Sequence, residues 1–226
     1  MSETILIILL LLALLTIYCL YKMLEKRGLY FCVVLLNIIS FVLAFKTIEV
    51  FKVNVNASII SIIPALTIIY IFIMKYGYKE VNNLITLTLY SNIVTAIMIA
   101  IMNYFIPAVT ETISINMQGT FEYNYKLLIA YPIIVFITQK CIVKLYKLVY
   151  SIQENVVLCT ALTHIITAVL YTVTFSTVGY IGIMKFKYAL FVGISSYIIG
   201  LPIMIINIIF IKYLLKNKKV KSWAAK

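Results

Sequence analysis

The sequence contains no aspartate, one arginine, one histidine and seven acidic residues, all glutamate, among its 226 residues. A Ser-His-Asp triad, an aspartyl protease and a calcium or magnesium site built on aspartate are therefore excluded. Charged residues make up only 12% of the chain and hydrophobic residues 64%. A soluble domain carries about twice that charged fraction and could not bury so much apolar surface in one core. The composition excludes the soluble classes and is typical of a membrane protein.

Cysteine is scarce, and its spacing does not suggest a metal or redox site. The four residues, Cys19, Cys32, Cys141 and Cys159, form no CxxC pair and lie in apolar runs, so we expect small buried hydrophobic side chains. Cys159 and His164 are five residues apart and fall on different faces of a helix, which argues against a Cys-His enzyme. The chain also lacks a glycine-rich phosphate loop. We expect no enzymatic activity, no metal and no cofactor.

Seven apolar segments are long enough to cross about 30 Å of hydrocarbon. They cover residues 4–21, 28–45, 55–74, 84–106, 127–148, 155–178 and 188–211. Lys140 and Lys144 interrupt the fifth segment, but their long side chains can reach a nearby headgroup layer. The sequence therefore predicts an all-α, polytopic membrane bundle of about seven transmembrane helices, with residues 1–226 forming a single membrane domain.

The basic residues predict the orientation of this bundle. With the N-terminus outside, fourteen of the nineteen lie on the inner side. The inner set is Lys22, Lys26, Arg27, Lys75, Lys79, Lys140, Lys144, Lys147 and the six lysines from Lys212 onward. The positive-inside rule then favours an N-out, C-in multi-pass protein of the cell membrane, and it explains the basic excess without nucleic acid. The first segment is expected to be an anchor, and the polar connection 107–125 a lid or an ordinary surface loop.

Polar residues recur at helical spacing within these segments, and polar side chains at bilayer depth turn inward. The sixth segment carries the longest such stripe: Thr160, His164, Thr167, Tyr171 and Thr174. The other segments offer Asn37, Tyr70, Asn92, Gln139, Tyr197 and Asn207. Together they predict a neutral, hydrogen-bonding cavity. Packing between helices remains the alternative for each residue alone, and His164 either donates to a neighbouring carbonyl or relays protons.

Three blocks of the sequence resemble the queuosine-precursor transporter family, also called the vitamin uptake transporter family. They are Leu20-Tyr21-Lys22 with Lys26-Arg27-Gly28-Leu29-Tyr30, Lys46-Thr47-Ile48-Glu49-Val50-Phe51, and Lys75-Tyr76-Gly77-Tyr78-Lys79-Glu80. Weaker similarities lie at Thr138-Gln139, Thr160 and Tyr197-Ile198-Ile199. The resemblance implies six family helices plus one N-terminal helix, and the import of 7-deazaguanine bases for making queuosine in transfer RNA.

The chain departs from this family at its charged intramembrane positions. Tyr70, Ile142, Thr167 and Asn207 stand where the family has Asp, Met74 where it has Glu, Gly200 where it has Lys, and His164 where it has Gln. A buried charge left without its counter-ion is strongly destabilising, so loss of the whole set leaves a stable bundle. The resemblance thus implies a retained scaffold with altered recognition chemistry.

The favoured function is import of a small aromatic or heterocyclic solute, most concretely a queuosine precursor or a related purine-like or vitamin-like compound. The predicted substrate-binding residues are Asn37, Tyr70, Asn92, Gln139, His164, Thr167, Tyr171, Tyr197 and Asn207. Its partners would be the small-molecule substrate and the lipid bilayer. Two alternatives remain: a substrate-binding membrane subunit that needs a separate energising partner, and a bundle that no longer transports.

Overall fold

The computed structural model describes residues 2–102, 125–152, 155–180 and 182–215. These ranges form six helices and one short hairpin: α1 Ser2–Leu43, β1 Thr47–Val50, β2 Val53–Asn56, α2 Ile59–Lys75, α3 Tyr78–Met102, α4 Tyr125–Ile152, α5 Val156–Gly179 and α6 Phe186–Leu215. Five of the helices, all except α2, are long and apolar enough to cross a membrane. The helical bundle is thereby confirmed for the described ranges, whereas the number of crossings and the orientation stay predictions. The predicted lid, 107–125, lies outside the described residues except for Tyr125.

Helix α1 bends sharply at Glu25, whose φ of 47° and ψ of −119° lie outside the helical region. The bend separates two arms, residues 2–24 and 26–43, which correspond to the first two predicted segments. The arms lie against each other, since the Cys32 thiol donates to the Thr16 carbonyl at 3.7 Å. A Cβ atom at Gly28 would collide with the Leu20 carbonyl, so glycine is required where the arms meet.

The sequence pattern did not predict the β1–β2 hairpin. Val50 pairs with Val53, and the two loop residues between them, Phe51 and Lys52, have φ values of 48° and 62°. Positive φ at both central positions defines the type I′ turn, which suits the twist of a two-residue hairpin. The third predicted segment, 55–74, is therefore wrong at its start: β2 extends to Asn56, and α2 begins at Ile59.

Helix α2 is the central element of the bundle. Every side chain from Ile59 to Met74 is buried, although this helix is only 17 residues long. The surrounding helices instead expose large apolar side chains on the perimeter, among them Leu12, Ile97, Ile129 and Ile205. Such an exposed apolar surface suits contact with lipid tails and would be costly in water.

Two ends of the bundle can be distinguished. At the end that carries β1 and β2, here called the hairpin end, the Phe51 amide donates to the Glu3 carboxylate at 3.1 Å. At the opposite end, the lysine end, Lys26 forms an ion pair with Glu80 at 2.8 Å. Lys75 donates to the Tyr21 hydroxyl at 2.7 Å at that same end. Charged groups thus lie at the two ends.

None of the four cysteines, all of which lie in the described ranges, forms a disulfide there. The prediction that they are buried is confirmed for Cys32 and Cys159, whereas it is wrong for Cys19, which is exposed, and for Cys141, which is partly exposed. Cys19 lies in the first arm of α1, where apolar neighbours also face outward, so an apolar run did not mean an interior position.

Candidate functional site

Eight of the nine predicted substrate-binding residues lie buried inside the bundle: Asn37, Tyr70, Asn92, Gln139, His164, Thr167, Tyr171 and Asn207. Tyr197 is partly exposed, as is Thr174 at the end of the predicted stripe on α5. Burial alone does not separate a binding residue from one that packs between helices. The hydrogen bonds of these side chains make that distinction.

Tyrosine side chains link the polar face of α5 to α2 and to Ser58, the residue before α2. Tyr70 on α2 reaches Thr167, with 3.4 Å between the two hydroxyl oxygens. The His164 ring meets the Tyr70 ring at 82°, with 5.3 Å between their centroids. Nearer the hairpin end, the hydroxyls of Tyr171 and Ser58 lie 3.1 Å apart. The structure therefore brings three of the predicted residues, Tyr70, His164 and Thr167, together at one place.

A second group joins α1, α3 and α4. The Thr88 hydroxyl lies 2.6 Å from Gln139 Oε1 and 2.8 Å from the Ile85 carbonyl, and its one proton is shared between these two acceptors. Gln139 Nε2 donates to Asn37 Oδ1 at 3.5 Å. Asn37 Nδ2 in turn donates to the Val33 carbonyl at 2.7 Å, and the Tyr131 hydroxyl donates to the Asn37 carbonyl at 3.3 Å. The side-chain oxygen and nitrogen of both Asn37 and Gln139 thus have hydrogen-bond partners within the protein.

A third set of polar atoms is buried without a hydrogen-bond partner in the described part of the chain. It includes both amide atoms of Asn92, both ring nitrogens of His164, the hydroxyls of Thr138, Thr163 and Ser176, and Oδ1 of Asn207. An unpartnered polar group in an apolar interior costs about 1–3 kcal/mol. These atoms come from α3, α4, α5 and α6. We use the name polar centre for Asn92, Thr138, Thr163, His164 and Asn207, a set defined by its buried, unpartnered polar atoms.

The polar centre offers both donors and acceptors but no formal charge. A neutral imidazole has one N–H donor and one acceptor nitrogen, a primary amide has both kinds of atom, and a hydroxyl serves as either. In the described ranges every lysine, arginine and glutamate side chain is at least partly exposed. The same ranges contain no group of three His, Cys, Asp or Glu side chains that could hold a metal ion. The chemistry available here is hydrogen bonding and aromatic contact.

A different polar cluster at the hairpin end was not predicted from the sequence. Asn56 Nδ2 donates to the Ala44 carbonyl at 3.0 Å and to the Tyr180 hydroxyl, and the Asn56 amide donates to Ser196 Oγ at 2.8 Å. Asn56 Oδ1 accepts from the Ser58 amide at 2.8 Å. Burial raises the pKa of Tyr180 to about 12, so its hydroxyl is a donor at neutral pH and donates to the Ala44 carbonyl at 3.2 Å. We call these residues the hairpin network.

The alternation Val53-Asn54-Val55-Asn56 has the period of a strand and could have predicted β2. It could not have located Asn56, because Asn54 and Asn56 fall on the same face of that pattern, yet Asn54 is exposed and Asn56 is buried. No comparable local signal marks Ser58 or Tyr180, because the structure joins them to Asn56 across the fold.

A small, partly open cavity of about 130 Å³ also lies at the hairpin end. Its lining residues are Thr177, Tyr180, Gly182, Met184, Phe186 and Ala189. Tyr180 follows His164 by sixteen residues, which corresponds to about 24 Å along α5. This cavity is therefore separate from the polar centre.

No protein-family model, curated protein or solved structure matches this chain. The resemblance to the queuosine-precursor transporter family therefore stays a prediction. The structure does show that Tyr70, His164 and Thr167, three positions at which the chain departs from that family, contact one another. Three of the seven departures are thus grouped in space around His164.

Proposed function

We propose that this protein is a transporter of the cell membrane that binds a small, flat, uncharged heterocycle at its polar centre and imports it. The observation that carries the proposal is His164, a fully buried imidazole whose two nitrogens have no partner among the described residues. A side chain with this cost to folding is readily explained if its hydrogen bonds are made to a bound solute. Following the family resemblance, the most concrete solute is a 7-deazaguanine base, a precursor of queuosine.

The surroundings of His164 suit such a solute. The edges of a purine-like ring carry alternating donors and acceptors, which amide, hydroxyl and imidazole groups complement. Aromatic side chains lie close by, since the Tyr70 ring lies 5.3 Å from the His164 ring and 6.1 Å from the Tyr146 ring, measured between centroids. Small-molecule sites commonly combine an apolar and aromatic wall with a few well-placed polar groups.

The proposal is tested by restoring queuosine to transfer RNA. A host that neither makes nor imports the precursor would express this chain and receive a micromolar 7-deazaguanine base. We expect queuosine to reappear with the wild-type protein and with Thr174→Ala, whose side chain is partly exposed on α5. His164→Ala should lose most of the signal at an equal amount of protein in the membrane.

Reconstitution into liposomes separates the alternatives. Uptake by the purified chain alone supports a self-sufficient transporter. Binding without uptake would identify a substrate-binding subunit that needs an energising partner. If the base neither binds nor enters, and membrane-inserted protein restores no queuosine, import of a queuosine precursor is wrong. A related purine-like or vitamin-like solute and a bundle without transport activity then remain.

A further inference from the structure

We infer that the lysine end of the bundle is a docking surface for anionic phospholipids, whose headgroup phosphates it binds through ammonium groups held beside aromatic rings. The inference concerns one end of the bundle rather than the polar centre, and it does not depend on the proposed transport function. The partner is the lipid of the surrounding leaflet.

Basic side chains from separate helices meet at the lysine end. The ion pair of Lys26 with Glu80 joins α1 to α3. Lys140 on α4 donates to Asn82 Oδ1 at 3.0 Å, two residues beyond Glu80 on α3. These two contacts place the basic second half of α4 beside the bend of α1, with the start of α3 between them.

The last turns of α6 reach the same end. The Tyr213 ring lies 6.4 Å from the Tyr18 ring of α1, measured between centroids, and Lys212 directly precedes Tyr213. Lys22 lies one turn beyond Tyr18, with its ammonium nitrogen 5.8 Å from the centroid of that ring. In the described ranges the lysine end thus carries two glutamates, Glu25 and Glu80, and nine basic residues, Lys22, Lys26, Arg27, Lys75, Lys79, Lys140, Lys144, Lys147 and Lys212.

Aromatic rings fix the positions of several of these ammonium groups. Lys75 Nζ lies 4.6 Å from the centroid of the Tyr21 ring and 4.8 Å from that of the Tyr76 ring. Lys26 Nζ lies 5.8 Å from the same Tyr76 centroid. A cation held beside a ring keeps its charge, and less side-chain entropy is lost when a headgroup binds it. Tyrosine and lysine are also the side chains that favour the layer of lipid headgroups.

The close approach of like charges at this end favours an anionic ligand. The ammonium groups of Lys26 and Lys75 share the Tyr76 ring, and Arg27 and Lys79 are exposed beside them in the chain. Glu80 pairs with Lys26 only. A phosphate group relieves the repulsion among the other cations, because its oxygens accept charge-assisted hydrogen bonds from more than one of them.

Exposed apolar side chains beside the basic residues indicate that this phosphate belongs to a lipid. Met23 and Leu24, between Lys22 and Lys26, are 76% and 50% exposed, and Leu148, next to Lys147, is 59% exposed. A phospholipid brings acyl chains to the apolar side chains and a phosphate to the basic ones. A soluble phosphate would contact only the basic ones.

The experiment measures lipid association at each end of the full-length protein in nanodiscs. A growing fraction of the phosphatidylcholine is replaced by brominated phosphatidylglycerol or, in parallel, by brominated phosphatidylcholine. Quenching of a single tryptophan then gives the association ratio of the two lipids at that position. In a Trp223→Phe background, Met23→Trp reports on the lysine end and Phe51→Trp, at an exposed position of the hairpin turn, on the hairpin end.

We expect an association ratio of at least about fivefold in favour of phosphatidylglycerol at Met23→Trp, which is the contribution of one lysine near an anionic surface. At Phe51→Trp the nearby charges balance, and the ratio should stay below about twofold. Those charges are Lys46, Lys52, Glu49 and Glu3. Equal ratios at the two reporters overturn the inference, whatever the outcome of the transport assays.

A triple variant identifies the residues responsible. Lys22→Gln, Arg27→Gln and Lys79→Gln together remove three exposed charges and leave the Lys26–Glu80 pair intact. We expect the ratio at the lysine end to fall towards one. An unchanged ratio would overturn the assignment of lipid binding to these side chains.

Two controls complete the experiment. Lys46→Gln with Lys52→Gln, at the hairpin end, should leave the ratio at Met23→Trp unchanged. Inorganic phosphate should displace no more lipid than chloride does at equal ionic strength. Stronger displacement by phosphate would overturn the assignment to lipid and indicate a site for a soluble anion.

Discussion

The hairpin network and the polar centre contain similar residues at similar burial, yet they differ in how their hydrogen bonds are satisfied. Asn56 has partners for both its side-chain atoms and for its backbone amide. Asn92, equally enclosed, has no partner for either side-chain atom among the described residues. A paired polar group in an apolar interior holds the fold together, whereas an unpaired one weakens it. The difference separates a cluster that stabilises from one that is available for binding.

The largest change in stability is expected when the hydrogen bonds of the hairpin network are removed. Asn56→Ala removes the hydrogen bonds of the side chain to Ala44, Tyr180 and Ser58 and leaves their atoms buried without it. We expect the free energy of unfolding to fall by about 3 kcal/mol, which lowers Tm by roughly 10 °C. Thermal unfolding in detergent measures this change.

Asn54→Ala is the matched control, since Asn54 lies in the same strand two residues away but is exposed. Its Tm should stay within about 2 °C of wild type, because exposed substitutions of this kind change stability by less than ~0.5 kcal/mol. A similar Tm for the two variants would show that the hydrogen bonds of Asn56 do not stabilise the hairpin. The hairpin network would then not differ from the polar centre in its contribution to stability.

At the polar centre we expect a substitution to raise the free energy of unfolding rather than lower it. His164→Leu replaces an imidazole with two unpartnered nitrogens by an apolar side chain of similar size. We expect the free energy of unfolding to rise by about 1 kcal/mol, with Tm up by about 3 °C, because the cost of the buried polar atoms is removed. Binding of the 7-deazaguanine base should be lost in the same variant.

This pairing of higher stability with lost binding is what distinguishes a binding residue from a structural one. A His164→Leu protein that unfolds at a lower temperature than wild type would indicate that the imidazole supports the fold. In that case the proposed role of His164 in binding would no longer account for its burial.

The sequence predicted the helices well because each is a long apolar segment with its own local signal. It also predicted which helix faces turn inward, since polar residues on α5 recur with the helical period. It could not predict the hairpin network, because Asn56 and Tyr180 are 124 residues apart and become partners only when the end of β2 meets the residue that follows α5. The sequence also could not show that Asn37 has hydrogen-bond partners and Asn92 has none among the described residues. Both are buried amides on inward helix faces, and the side chains of neighbouring helices determine which of them is hydrogen-bonded.

The smallest predicted change in stability concerns two threonines, one with a hydrogen-bond partner and one without. Thr88 and Thr138 are both fully buried, but Thr88 donates to Gln139 at 2.6 Å whereas the Thr138 hydroxyl has no partner among the described residues. Thr88→Val should lower the free energy of unfolding by about 1 kcal/mol, because it leaves Gln139 Oε1 without its donor. Thr138→Val has the same change of shape and should be neutral or slightly stabilising. Equal Tm values for the two variants would mean that water or lipid replaces the hydrogen bond lost in Thr88→Val. Paired and unpaired hydroxyls inside the bundle would then contribute equally to the free energy of unfolding.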